Sequence, residues 1–384
     1  MCYNYVGSDI MYELIATSSF GLEAIVKREL NDLGLEVTKT DNGHIYFNGD
    51  AIDIARANIN LRCADRVLIN LKSFKAESFE ELFDGIYELP WNDILDDDSN
   101  FIVEGRSHKS KLFSISDCQR ITEKAIIKKL QMKHDISRFS KSSHRHRLEI
   151  SLLNDIASIT LDTSGDSLHK RGYRDKQVVA PLKETMAAAL VKLSFYKKDR
   201  PFFDPFCGSG TIPIEALLIA RNIAPGLDRD FDSMNFKFLN SDLYKKARME
   251  AMEKIDYKSK VYIDASDISH KSIAIAKHNL ENLGLNDDIR FFVKDFRDVD
   301  IKNNYGVMIT NPPYGKRLEE DNLRSLYTDF GKKIKNLDTW SIYVLTSYEQ
   351  IERDFARKAD KNRKLYNGSL KTYYYQFYGK KPDK

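Results

Sequence analysis

From about residue 185 onward, short apolar runs alternate with helical stretches, and this restricts the C-terminal half to a parallel sheet covered by helices on both faces. Strands are expected at 201–206, 260–266, 290–294, 306–310 and 341–346, with helices between them. The segment "KLYNGSLKTYYYQFYG" turns at Asn367 and Gly368 between β-rich arms and reads as an antiparallel hairpin closing the sheet. The expected fold class is therefore α/β, doubly wound. In such sheets ligands collect beyond the carboxyl ends of the strands.

Those strand ends carry unusual residues. In "FFDPFCGSGTIPIEALLIA" an apolar strand ends in Asp204, and a turn containing Gly208 and Gly210 leads into a helix. Two glycines let the backbone turn tightly and approach a ligand that any Cβ would obstruct. The turn lacks the G-x-G-x-x-G spacing of dinucleotide sites and the G-K-[ST] of triphosphate sites, so hydride carriers and nucleoside triphosphates are disfavoured. The next strand ends in Asp267, an acid placed to take two ribose hydroxyls, but 63 residues after Asp204, so residues 225–259 read as an insertion. At the third strand end, Asp295 is placed to accept from an adenine amino group and Phe296 to pack on the ring. Each acid alone could merely cap the following helix, and Ser269 is well placed to do that instead of Asp267. Acids at three successive strand ends are harder to explain that way.

The fourth strand runs into "ITNPPYGKRL". Two prolines in a row give a stiff, extended rim with outward carbonyls, Asn311 adds a side-chain carbonyl, and Tyr314 adds a flat ring. Together, Asn311, Pro312, Pro313 and Tyr314 suit a planar amine. Taken alone they are also an ordinary strand-ending turn.

The N-terminal half reads differently. "YELIATSS" alternates as a strand, "GLEAIVKRELNDLG" is an amphipathic helix stopped by Gly34, and "DNG" at 41–43 is a hairpin turn, giving a small α+β unit. A second α+β unit follows: "FIVEGRS" as a strand, "SISDCQRITEKAIIKKLQ" as a helix, and two strands folded about Asn154 and Asp155. Lys124, Lys128, Lys129 and Lys133 crowd the later turns of that helix. A chain of 384 residues exceeds one core, so two or three domains are expected. Its net charge of +3 is too small to argue for nucleic acid alone, but "RFSKSSHRHR" and "HKRGY" are concentrated basic runs. The first, read by itself, is a solvated loop, with His144 and His146 facing solvent. No apolar run is long enough to span a bilayer and the polar opening is no signal peptide, so a cytoplasmic protein without membrane contact is expected. The four scattered cysteines indicate neither a zinc site nor a disulfide framework, and no metal is expected.

In order along the chain, "DPFCGSG", "ASD", "KDF" and "NPPYG" resemble the Rossmann-like class of S-adenosylmethionine (SAM)-dependent methyltransferases that act on exocyclic amino groups. The N-terminal half resembles a ferredoxin-like domain followed by a THUMP RNA-binding domain. The linking "LDTSGDSLHKRGYR" and "APLKETMAAAL" resemble the joint of bacterial THUMP-containing 23S ribosomal RNA guanine-N2 methyltransferases. The resemblance implies three domains, at 11–64, 65–163 and 164–384. It implies SAM as cofactor, held by Asp204, Phe206, Gly208, Gly210, Thr211, Asp267, Ile268, Asp295, Phe296 and Asn311, with catalysis at Asn311, Pro312, Pro313 and Tyr314. RNA, ribosomal above all, is the implied partner, met by Arg138, Lys141, Arg145, Arg147, Lys170, Arg171 and Arg174; no obligatory protein partner is evident. Some ribosomal enzymes carry a second methyltransferase domain, for which this sequence leaves no room, so one modification is expected. The "NPPY" corner is shared with adenine-N6 enzymes of DNA or RNA. The same residues are compatible with a transfer RNA substrate, and with an RNA-binding factor that keeps a relict pocket.

Overall fold

The computed structural model describes residues 10–95, 100–132, 145–175, 182–314, 320–368 and 370–381. The first half contains, in order, β1 (Tyr12–Thr17), α1 (Glu23–Asp32), β2 (Val37–Asp41), β3 (His44–Gly49), α2 (Ala51–Asn60), β4 (Arg66–Lys75), α3 (Phe79–Tyr87), α4 (Trp91–Ile94), β5 (Asn100–His108), α5 (Ile115–Gln131), β6 (Arg145–Leu153) and β7 (Ile156–Asp162). The second contains α6 (Glu184–Lys192), β8 (Phe202–Asp204), α7 (Thr211–Ala220), α8 (Asp242–Met252), β9 (Ile263–Asp267), α9 (His270–Glu281), β10 (Ile289–Val293), β11 (Val307–Thr310), α10 (Glu320–Ile334), β12 (Ser341–Thr346), α11 (Ile351–Asp354), β13 (Lys361–Asn367) and β14 (Leu370–Phe377). Among the described residues no helix is long and apolar enough to cross a membrane.

The chain forms two compact units. The first is built on a seven-stranded sheet ordered β2-β3-β1-β4-β7-β6-β5. Strand β4 pairs with β1 on one side and β7 on the other, so the two small α+β segments share a single sheet. Local chemistry sets its corners. Gly43, at φ +74°, closes the β2–β3 turn, and Asp50 caps α2 in a reciprocal pair with Asp53. Asn154 and Asp155, at φ +50° and +64°, make the β6–β7 turn, which short polar side chains tolerate better than branched ones.

Strand β6 begins at Arg145, inside the basic run, and this overturns the expectation that His146 faces solvent. Alternation along the strand turns His146, Leu148, Ile150 and Leu152 inward and leaves His146 only 2% exposed, its ring 5.2 Å from that of Phe236. Arg138, Lys141 and His144, with Lys133, lie outside the described residues.

Each of the two units is discontinuous in sequence. Residues 229–250, within the expected insertion, belong to the first unit, and Ser19–Ile25 belong to the second. Within the first unit Tyr244 bonds Ser233 Oγ at 2.6 Å and Asn58 at 3.3 Å, Ser233 donates to the Thr163 carbonyl, and Arg56 pairs with Glu250 at 2.7 Å.

The second unit holds the other seven-stranded sheet, ordered β10-β9-β8-β11-β12-β14-β13, parallel from β10 to β12 and antiparallel beyond. Phe203, Met308, Ile342 and Val344 from the sheet pack with Tyr327 and Phe330 of α10 in one buried cluster. Strand order reverses between β8 and β11, and there the crossovers leave a crevice at the carboxyl ends.

Candidate active site

The crevice is lined by a cavity of about 620 Å³ that brings together Asp204, Phe206, Gly208, Thr211, Asp267, Ile268, Asp295, Phe296, Asn311 and Pro313. These residues come from four strand ends spread over more than a hundred positions of sequence. Leu182, Lys294, Arg297 and Leu326 also line it. Sequence reasoning did not single them out; Lys294 and Arg297 flank Asp295, and that adjacency was the available signal.

Gly208 and Gly210 adopt φ values of +53° and +82°, the left-handed region. A Cβ at Gly210 would lie 3.0 Å from the Ala276 Cβ, so this glycine lets α9 approach; a Cβ at Gly208 would meet nothing within 4 Å. Asp267 braces the turn, its Oδ2 accepting from the Gly208 N–H at 2.9 Å and its Oδ1 from the Ser269 N–H at 2.9 Å. Ser269, through the Ser272 N–H, caps α9. The Asp267 carboxylate is thereby held in one orientation while each oxygen retains a lone pair. Ile268, beside it, is 70% exposed.

Asp204 is fully buried. Its Oδ1 accepts from the Phe206 N–H at 3.1 Å and the Thr310 hydroxyl at 2.7 Å, a link from β8 to β11 across the strand reversal. Its Oδ2 is buried without a partner. Burial pushes this carboxyl up to about 7, the bonds from Thr310 and Phe206 pull it back, and Asp267 raises it further. Asn311 presents a second buried oxygen, Oδ1, that has no partner. Two unpartnered acceptors, a pinned carboxylate and an open approach to Gly208 fit a ligand rich in hydrogen-bond donors, such as the ammonium and ribose of SAM.

Other expected site residues are placed differently. Asp295 already accepts from the Arg297 N–H at 2.9 Å and pairs with its guanidinium at 2.8 Å, so it reaches the cavity as part of an ion pair. Phe296 is 4% exposed, with its ring 4.9 Å from Phe206 and 5.6 Å from Phe330, and most of its surface serves the core. Tyr314 is 6% exposed, and Pro312 and Tyr314 are not among the cavity's lining residues. The flat ring of Tyr314, expected to serve a planar amine, is thus buried and does not line the cavity.

Of the residues expected to meet RNA, two are corrected. Arg171 lies 3.4 Å from Glu215 with both side chains buried, and Tyr173 bonds the same carboxylate. Arg174 lies 3.3 Å from Glu184 and donates to Thr211 Oγ1 and the Leu182 carbonyl. Helices α6 and α7 carry these acids into the interior, where a carboxylate needs a cation, and the "RGYR" segment supplies both. Lys170 is exposed. Arg145 starts β6, and half-exposed Arg147 on the same strand pairs with Glu104 at 3.1 Å. Among the described residues no group of three or more His, Cys, Asp or Glu is placed to hold a metal.

Family models match three stretches of the chain: the RlmL ferredoxin-like domain at residues 13–68, the THUMP domain at 76–162, and the RMKL-like methyltransferase domain at 171–376. The presumed RNA methyltransferase YpsC of Bacillus subtilis is 49% identical over 96% of both chains. The ribosomal RNA large subunit methyltransferase K/L of Buchnera aphidicola is 32% identical over 88% of this chain, which spans 50% of that protein. Among solved structures, a Listeria monocytogenes protein described as a predicted N6-adenine-specific DNA methylase superposes with a TM-score of 0.92 at 47% identity, covering 97% of each chain. The methyltransferase-like SMU.472, complexed with SAH, gives a TM-score of 0.91 at 42% identity over 97% of this chain and 99% of that one. With its crevice at the strand reversal and these three domains in this order, the chain belongs to the RMKL-like family of SAM-dependent RNA methyltransferases.

Proposed function

We propose that the protein transfers a methyl group to the exocyclic N2 amine of a guanine in 23S ribosomal RNA, in the cytoplasm. The observation that carries the amine is the Asn311 side-chain oxygen, buried and unpartnered at the rim of the crevice. An aromatic amine is a weak nucleophile because its lone pair is delocalised into the ring. By accepting one N–H at Asn311 Oδ1 and the other at the Pro312 carbonyl, the corner turns the lone pair out of conjugation and aims it. SAM, when bound, supplies the electrophilic methyl on its sulfonium. Asp267, Asp204 and the glycine turn orient that donor, and no strong base is needed because the amine becomes acidic only as it is methylated. A paired guanine hides this amine, so the base must be unpaired or flipped out.

The ribosomal substrate is supported by the matched THUMP domain and by the name of the Buchnera relative. The description of the Listeria structure favours adenine-N6 chemistry as the second reading. Nucleoside analysis of RNA methylated in vitro separates them: N2-methylguanosine is expected, and N6-methyladenosine overturns the assignment. Phosphate contacts are assigned to Arg138, Lys141, Arg145, Arg147 and Lys170. Each residue that neutralises a phosphate should, when replaced by Ala, lower the slope of log K against log salt by about 0.7–0.9. Arg147, already paired with Glu104, should fall short of that.

A further inference from the structure

The stiff corner at Asn311–Tyr314 has a support beneath it that its own sequence does not supply. Tyr327 of α10 is fully buried, and its hydroxyl lies 3.4 Å from the Pro313 carbonyl and 2.6 Å from Thr346 Oγ1 at the end of β12. Thr346 Oγ1 in turn accepts from the Tyr348 N–H at 3.0 Å. A carbonyl can only accept, so when the Tyr327 hydroxyl gives its single proton to Pro313, the Thr346 hydroxyl gives to Tyr327 and itself accepts from the Tyr348 N–H. Bonds in such a chain polarise one another. Pro313 lacks an N–H and follows another proline, so the corner has few backbone bonds of its own to hold it.

We propose that Tyr327, backed by Thr346, is a positioning residue for methyl transfer: it holds the Pro313 carbonyl and so fixes the angle at which Asn311 and Pro312 present their acceptors to the amine. The inference rests on the corner being the methyl-transfer site and is independent of which base is methylated. Tyr327 does not line the cavity, so its effect is on geometry and not on cofactor contact.

The test uses the full chain and RNA from a strain lacking the gene, with labelled SAM as donor. Tyr327→Phe removes only the hydroxyl and should lower kcat roughly 10- to 100-fold while leaving the affinity for S-adenosylhomocysteine unchanged by calorimetry. Thr346→Val should lower kcat in the same way, the double variant should be no worse than either single one, and Thr346→Ser should restore the rate. Tyr374→Phe is the structural control, because Tyr374 is equally buried and its hydroxyl donates to the Leu190 carbonyl at 2.9 Å, away from the corner. It should lower the melting temperature without lowering kcat. Equal kcat for Tyr327→Phe and Tyr374→Phe overturns the proposal. Crystal structures of parent and Tyr327→Phe with S-adenosylhomocysteine give a readout that does not depend on the acceptor. Should the parent methylate no RNA, the proposed function falls, and the structures still decide: a displaced Pro313 carbonyl supports the positioning role, and an unmoved one overturns it.

Discussion

At the residue scale the proposed function assigns the site's polar groups to donor and acceptor substrates separately, and single substitutions should separate the two. Asp267 braces the glycine turn with lone pairs left over, whereas Asn311 Oδ1 has no internal partner. Asp267→Ala is expected to weaken S-adenosylhomocysteine binding in calorimetry. Asn311→Ala should leave that binding largely intact and abolish turnover; equal losses of cofactor affinity would contradict the division. Asp204 adds a pH dependence. Its folded-state value, about 7, lies above the ordinary carboxylate value, so it favours the protonated form in the native state. Below about pH 4 both states are protonated and nothing is lost. As pH rises from about 4 to 7 the unfolded state ionises first, and stability falls by up to about 4 kcal/mol before levelling off. Asp204→Asn cannot ionise. Denaturant unfolding of the ligand-free protein should therefore show the variant gaining on its parent across that window, whatever its fixed offset. A difference that stays constant with pH would place the titration elsewhere. What the sequence made legible here was residue type at a strand end. It could not distinguish Arg171 and Arg174, buried against Glu215 and Glu184, from a solvent-facing basic knot, because the partners lie on helices encoded later in the chain.

At the element scale, periodicity located the strands of the second unit well: β8, β11 and β12 are buried throughout and almost wholly apolar until they meet the crevice, as parallel strands covered on both faces are, whereas β9 and β10 carry Asp264 and Arg290 and were marked more by the acids at or just beyond their carboxyl ends. Periodicity was weaker where charge and burial mix: β6 starts within "HRHR", and only pairing with β5 and β7 turns His146 inward. The strand-to-helix turn after β8 gives the clearest test of element-level reasoning. Both of its glycines have positive φ, so alanine at either costs about 1–2 kcal/mol in backbone strain. Their surroundings differ. Gly210→Ala also drives a Cβ to 3.0 Å from Ala276, so it should be the less stable variant in thermal unfolding. Gly208→Ala points its Cβ into open space at the cavity, so it should keep more of its stability and lose cofactor affinity instead. The opposite ranking of melting temperatures would mean that α9 does not pack as closely on the turn as its position in the fold implies.

At the scale of the whole molecule, sequence order and unit membership part company. The 63-residue interval between Asp204 and Asp267 flagged an insertion, but periodicity carries no information about which core an inserted segment joins. Its residues 229–250 complete the first unit, where Tyr244 is buried and hydrogen-bonded among Ser233 and Asn58, and Phe236 and Phe238 lie against His146 and Tyr12. A segment encoded between the strands of the methyltransferase sheet is thus part of the hydrophobic core beside the first unit's sheet. The consequence is measurable. Tyr244→Phe removes one buried hydroxyl and leaves its partners short of a bond, at about 1–3 kcal/mol. If stability follows unit membership, native-state hydrogen exchange should accelerate in β1, β4 and β7 of the first unit and remain unchanged in β8, β11 and β12. If it follows the linear sequence, the methyltransferase strands should respond instead, and the grouping of 229–250 with the first unit would carry no energetic weight.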